Sequence, residues 1–260
     1  MTALAIVYTS AGLVFAADGR ARLRNDKATS KVATFQADTD SQQKIFKVED
    51  EGRILAYSMS GKIANKDRSF YMVTEAAKQA RLLAKRRFDD GYDYVRRFCR
   101  NLHEAASEAK RDGRIEKFPD DGSNYWVTMI FGGYFHKTAF CVTAEFIREN
   151  DTRVRLKTTS IEIPPGRYLT IGPPILTRLM FKENDPRFAK YKKPVDENVT
   201  LEGAADFGKT FIEASADRLA LQLDPDCEGV GGHIHIAAIT PADGFKWLIP
   251  PVSQNPVTVP

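Results

Sequence analysis

The first twenty residues constrain this chain most. Residues 3–8 form an apolar run, Ala-Leu-Ala-Ile-Val-Tyr, which ends in the turn cluster Thr9-Ser10-Ala11-Gly12. Leu13 to Ala17 is a second apolar run and ends on Asp18-Gly19. Two short apolar runs bounded by turn residues predict a buried β-hairpin that begins with the first residues of the sequence. An antiparallel hairpin turning near Ser10 sets Asp18 opposite Thr2. A terminus held in a sheet is fixed in place, whereas most termini are loose. Thr2 is the second residue, and a small residue there permits removal of the initiator Met. Removal of Met1 would leave a hydroxyl and an amine on adjacent carbons, a pair in which the amine serves as base for the hydroxyl. The α-amine has an unperturbed pKa of ~7.7–8.0, near the range in which a general base works best. Thr after Met is common and by itself means little; the hairpin gives it weight by fixing its position.

Downstream, the pattern alternates between strands and helices. Arg22 to Gln43 is polar, mixed in charge and without clear period, so it reads as a long connection. Residues 44–48 and 53–59 predict a second hairpin around Glu49-Asp50-Glu51-Gly52. From Asp67 the period becomes helical, with Phe70, Val73, Ala77, Ala80 and Leu83 on one face. A stronger stripe follows in Val95, Phe98, Cys99, Leu102, Ala105, Ala106 and Ala109, stopped by Gly113. Asp89-Asp90-Gly91 joins the two helices as an antiparallel pair. After a break at 119–124, residues 125–131, 134–146 and 153–163 read as strands. Pro173-Pro174 suits the first turn of a helix. A charged linker spans 185–198, and Thr200 is placed to cap the helix that follows. Residues 232–240 and 245–248 predict a last hairpin around Asp243-Gly244. Two sheets, each covered on one face by a helix pair, would bury every apolar face. The expected fold is therefore α+β, a four-layer αββα sandwich, with one domain over residues 1–250 and a Pro-containing tail over 251–260.

Composition sets the outer limits. The chain has 260 residues, a net charge of +4 and three cysteines, Cys99, Cys141 and Cys227, with no CxxC spacing. An odd, scattered set of cysteines fits a reducing cytoplasm better than a disulfide scaffold. The modest charge, without a basic face interleaved with aromatics, gives no argument for nucleic acid. No apolar run reaches ~18 residues, so no membrane span is expected. No basic segment precedes the first apolar run, which makes it a poor signal peptide.

Several short pieces, taken in order, resemble a proteasome β-type subunit of the N-terminal nucleophile hydrolase superfamily. They are Thr2, Ala16-Ala17-Asp18-Gly19-Arg20-Ala21, Lys44-Ile45-Phe46-Lys47-Val48, Ser60-Gly61 and the run from Gly231-Gly232-His233 to Thr240. The resemblance implies the same αββα fold. It also implies a role for each matched residue: Thr2 as nucleophile, Lys44 as a cation beside it, Asp18 as the acid that orients Lys44, and Gly61 as the oxyanion donor. A cation at Lys44 would also keep the nearby amine neutral, since like charges disfavour protonation. Ala21 and Met59 match the residues that line the substrate pocket, both unable to pair with a charged side chain. The family's Gly-Ser-Gly turn corresponds here to Ile171-Gly172-Pro173-Pro174. Its Asp-x-x-Ser-Gly-Gly corresponds to a stretch with Val230 before the glycines and Asp226, one place out of register, as candidate supporting acid. The hydroxyls of both motifs are missing.

Two further features carry less. His233 and His235, two apart on a predicted strand, share a face, but no Cys, Asp or Glu at ligand spacing completes a metal site. The basic stretch from Gln79 to Arg87 reads as a solvated helix face or a subunit contact. No Gly-rich phosphate motif opens a helix, and neither a cofactor nor a metal is expected. The resemblance implies a threonine peptidase that cleaves peptides or unfolded polypeptides inside a homo-oligomeric ring, with any activating partner unidentified. The alternatives are a non-catalytic ring subunit and an amidohydrolase of the same fold acting on a small amide.

Overall fold

In the computed structural model the described residues are 2–24, 35–50, 53–61, 70–84, 86–115, 125–150 and 153–252. The chain opens with β1 (Leu4–Tyr8) and β2 (Leu13–Ala17), then β3 (Ala21–Arg24) and β4 (Phe35–Thr39). There follow β5 (Ile45–Asp50), β6 (Arg53–Gly61), α1 (Met72–Leu83), α2 (Gly91–Arg111), β7 (Tyr125–Phe135), β8 (Thr138–Arg148) and β9 (Val154–Ser160). The last third holds β10 (Arg167–Ile171), α3 (Pro174–Phe181), α4 (Leu201–Ser215), α5 (Arg218–Leu223), β11 (His235–Thr240) and β12 (Gly244–Ile249). These elements divide into two compact units, one from residues 2–45 and 163–252, the other from residues 46–162.

The first unit is built on a five-stranded antiparallel sheet in the order β10-β1-β2-β11-β12. The predicted first hairpin is present, with Leu4 paired to Ala17 and Tyr8 to Leu13. Its turn is closed by Thr9, whose N–H donates to the Gly12 carbonyl at 2.8 Å and whose hydroxyl accepts the Gly12 N–H at 3.0 Å. One face of this sheet is covered by helix: Ala5, Val7, Val14, Ala16, Ile236 and Ala238 pack with Phe207, Phe211 and Ile212 of α4 and Leu176 and Met180 of α3. Thr200 caps α4 as expected, accepting the Gly203 N–H at 3.1 Å.

The second unit carries the sheet β5-β6-β7-β8-β9 with the α1–α2 pair on its face. Phe46, Tyr57, Met59, Phe131 and Phe146 of the sheet pack with Val73, Ala80, Val95, Phe98 and Leu102 of the helices. Asp90 caps α2 through the Asp93 N–H at 2.7 Å. Arg53, 4% exposed, closes the far end of α1: it donates to the Ala84 carbonyl at 2.6 Å and the Arg86 carbonyl at 3.3 Å. Its guanidinium also faces the rings of Phe88 and Tyr94 at 5.4 and 5.0 Å.

Each unit is thus a helix layer on a sheet, and the mixed α+β class with two antiparallel sheets is as expected. Several local expectations change. A strand break was expected at Gly132-Gly133, but β7 runs through it, and the turn falls at His136-Lys137, both at positive φ. Gly133 is there for close approach: a Cβ on it would lie 2.2 Å from the Ile54 carbonyl oxygen. The polar connection holds a two-stranded sheet, β3-β4, while residues 25–34 lie outside the described set. The strands β10 and the short helix α5 were not expected. The expected break at 119–124, Glu51-Gly52 of the second turn, and residues 253–260 of the tail lie outside the described residues.

Candidate functional site

The hairpin register decides the site. Because Leu4 pairs with Ala17, the next residues outward, Ala3 and Asp18, also face each other. Asp18 N–H donates to the Ala3 carbonyl at 3.1 Å, and Asp18 Oδ1 accepts the Ala3 N–H at 2.9 Å. The carboxylate is therefore tied to the residue that follows Thr2. Lys44, the residue before β5, brings Nζ to 2.8 Å from Asp18 Oδ1 and 3.0 Å from Thr2 Oγ1. All three side chains are withdrawn from solvent: Thr2 is 7%, Asp18 0% and Lys44 4% exposed.

A carboxylate this deep needs its lone pairs met. The second oxygen of Asp18 accepts the Arg20 N–H at 3.2 Å and the Gly231 N–H at 3.3 Å. Gly231 sits at φ +142° and Gly232 at φ +73°, a path that favours glycine. The segment is pinned by Arg20, which donates to the Val230 carbonyl at 3.1 Å and grips Asp40 at 2.7 and 3.3 Å. Asp40 in turn accepts the His233 N–H through its carbonyl at 2.7 Å. The hydrogen bond and charge of Asp40 raise the Arg20 pKa, against a smaller effect of burial. So where the sequence lacks a Ser before the glycine pair, a backbone N–H and an arginine support the acid.

Burial pulls the Lys44 pKa below the ordinary lysine range, while the charge and hydrogen bond of Asp18 work against that shift. The ammonium is thus poised for easier proton loss than a surface lysine, yet kept by a carboxylate. The arrangement can present a hydroxyl to an electrophile, with a cation 3.0 Å away to favour the alkoxide.

The other expected residues fall as follows. Ala21 opens β3, half-buried, three residues beyond Asp18. Gly61 ends β6 of the second unit at φ +113°. Met59 is 1% exposed within the apolar cluster of the second unit. Asp226 is solvent-exposed and its N–H donates to Asp224 Oδ1 at 3.1 Å. The buried, bonded acid of that stretch is Asp224, which sequence reading missed. Its Oδ2 accepts the Ile175 and Leu176 N–H groups at 2.8 and 3.0 Å, capping α3 from 48 residues away. The histidine pair also differs from expectation. The strand begins at His235, not before it; His233 Nε2 bonds the Pro250 carbonyl at 2.8 Å, and His235 Nε2 accepts the Lys44 N–H at 3.0 Å. The rings serve separate partners, and among the described residues no His, Cys, Asp and Glu cluster is arranged to hold a metal ion. Among the same residues no helix is long and apolar enough to cross a membrane.

No family model matches this chain, and no curated protein matches it. Among solved structures, it is similar to an Anbu (Gly-1) mutant from Hyphomicrobium sp. strain MC1, with 17% identity, 92% of this chain and 82% of that chain covered, and a TM-score of 0.51. It also matches Anbu (ancestral beta-subunit) from Yersinia bercovieri, with 14% identity, 95% and 87% coverage, and a TM-score of 0.46. The first of these shows a shared fold. The resemblance to proteasome β-type subunits of the N-terminal nucleophile hydrolase superfamily is accordingly corrected: the neighbour that shares the fold is an Anbu protein, of a distinct family.

Proposed function

We propose that the chain is an N-terminal threonine hydrolase that cleaves peptide bonds through Thr2. One observation carries the reading: a buried line runs from Thr2 Oγ1 to Lys44 Nζ to Asp18, at 3.0 and 2.8 Å, with the carboxylate held by three backbone N–H groups. A merely structural lysine has no need to touch the hydroxyl of residue 2.

The chemistry requires the amine of Thr2, released by removal of Met1. The amine takes the Oγ proton as Oγ bonds to the substrate carbonyl carbon, and the carbonyl π pair moves onto its oxygen. Gly61 N–H is assigned to hold that oxyanion. Collapse breaks the C–N bond, and the leaving amine takes the proton back from the α-ammonium. Water then attacks the ester by the same route and restores Thr2. Lys44 favours the alkoxide and keeps the α-amine neutral, while Asp18 orients Lys44. Ala21 is assigned to the substrate pocket. Assembly into a closed homo-oligomeric ring, the expected result of a head-to-tail interface that closes, belongs to the same proposal.

The test is hydrolysis of a fluorogenic peptide, with intact mass first establishing loss of Met1. Wild type should turn over, and Thr2→Ala and Lys44→Met should not. Processed wild type that cleaves no peptide would favour the reading as a non-catalytic subunit, to which Val230 and the Gly172-Pro173 pair, without hydroxyls, already lend some support. A monomer by sedimentation at micromolar concentration would remove the ring.

A further inference from the structure

We infer that His235 is a positioning residue of the threonine site: its imidazole accepts the backbone N–H of Lys44 and so fixes where the lysine meets Thr2 and Asp18. This rests on the hydrolase reading and adds a residue to it. His235 opens β11 opposite Ala17, the residue just before Asp18. Its ring is 1% exposed and stands edge-on to Trp247 with centroids 6.2 Å apart.

Lys44 lies one residue ahead of β5, and its backbone is buried. A buried N–H must find an acceptor, and Nε2 of His235 supplies it at 3.0 Å. Only an unprotonated ring nitrogen can accept, so Nδ1 carries the proton and the ring is neutral. Burial and then the Lys44 charge oppose a second proton, outweighing a backbone hydrogen bond to His233 that works the other way. The same imidazole therefore anchors the lysine backbone and keeps another positive charge away from the Lys44 ammonium. Nothing places the ring against Thr2 itself, so it acts through Lys44.

Two substitutions separate anchoring from bulk. Gln can place Oε1 near the position of Nε2, whereas Met has similar length and no comparable acceptor. In the full-length, processed protein, His235→Met should lower kcat for peptide hydrolysis by about 10–100-fold, the scale of a small misplacement, with KM within about 2-fold. His235→Gln should recover most of that loss. Equal losses in both variants, or no loss in Met, would overturn the inference. A second measurement stands whether or not the wild type is active. In the nitrogen NMR spectrum of the wild type, His235 should show a bare Nε2 and a protonated Nδ1 from pH 7 to pH 5. A doubly protonated ring at pH 6, or the opposite tautomer, would overturn it too. Inactive wild type with the expected ring spectrum would sink the hydrolase reading and leave the Lys44 anchor standing.

Discussion

The Asp18–Lys44 pair is asymmetric, and that asymmetry can be measured. Asp18 accepts from three backbone N–H groups besides Lys44 Nζ. Lys44→Met therefore deletes the ammonium but leaves a carboxylate that is still bonded. Asp18→Asn leaves a 4%-exposed ammonium that keeps the neutral Thr2 hydroxyl but loses its carboxylate, and turns an amide NH2 toward groups that are themselves donors. Stranding a buried charge costs about 3–5 kcal/mol, while losing one charged hydrogen bond costs about 1.5–3 kcal/mol. Asp18→Asn should thus destabilise by about 3–5 kcal/mol and Lys44→Met by about 1.5–3 kcal/mol. In the double variant the stranded charge is gone, so it should be no less stable than Asp18→Asn alone. The coupling energy would then be about 1.5–3 kcal/mol, well beyond the scatter of independent sites. Urea unfolding at pH 7, with m-values checked for two-state behaviour, measures all four corners. Additive losses, or a larger loss in Lys44→Met than in Asp18→Asn, would refute the reasoning.

The His235 pKa is pushed down to about 3 by burial and by Lys44, from an ordinary value of 6.5. Between those values the unfolded chain binds a proton that the folded ring refuses, so stability rises with pH across this window and is lost as pH falls. Relative to His235→Gln, wild type should lose about 1.5 kcal/mol between pH 6.5 and pH 5; a wild-type–Gln difference that is flat with pH in urea titrations would refute this. Arg53→Met removes the carbonyl bonds at the end of α1 and the ring contacts of Phe88 and Tyr94, and should cost about 2–4 kcal/mol. Arg53→Lys should recover less than half, because an ammonium lacks the fork; full recovery in thermal unfolding would contradict the geometry. With the small apolar Ala21 in the proposed pocket, cleavage should follow apolar or aromatic residues, since burying an unpaired charge costs several kcal/mol. A peptide panel showing preference for acidic or basic residues would remove that assignment.

What the sequence revealed and what it hid differ in range. The first hairpin was legible because two apolar runs and a polar turn fix register locally; that register sets Asp18 opposite Ala3, one residue short of the expected Thr2. The helices α1, α2 and α4 were legible from their stripes and caps. The strand β10 was not: it is a short edge strand with two of its five residues exposed and none buried, so it carries little apolar signal. The six residues of α5 are too few to show a helical period. Asp224 and His235 were hidden for another reason. Each bonds backbone N–H groups far along the chain, of Leu176 and of Lys44, and a backbone partner leaves no mark in residue type. Asp226 drew attention by its place near a motif, but the buried carboxylate is two residues earlier.

The central claim is that Thr2 is a nucleophile with its own amine as base. An epoxyketone tests it most directly, because it joins the hydroxyl and the amine of such a terminus into one ring. Intact mass should first show the chain without Met1, and treatment should then add one inhibitor mass, mapped to the first peptide alone. Processed protein that takes no label, or label on any other peptide, would contradict the account.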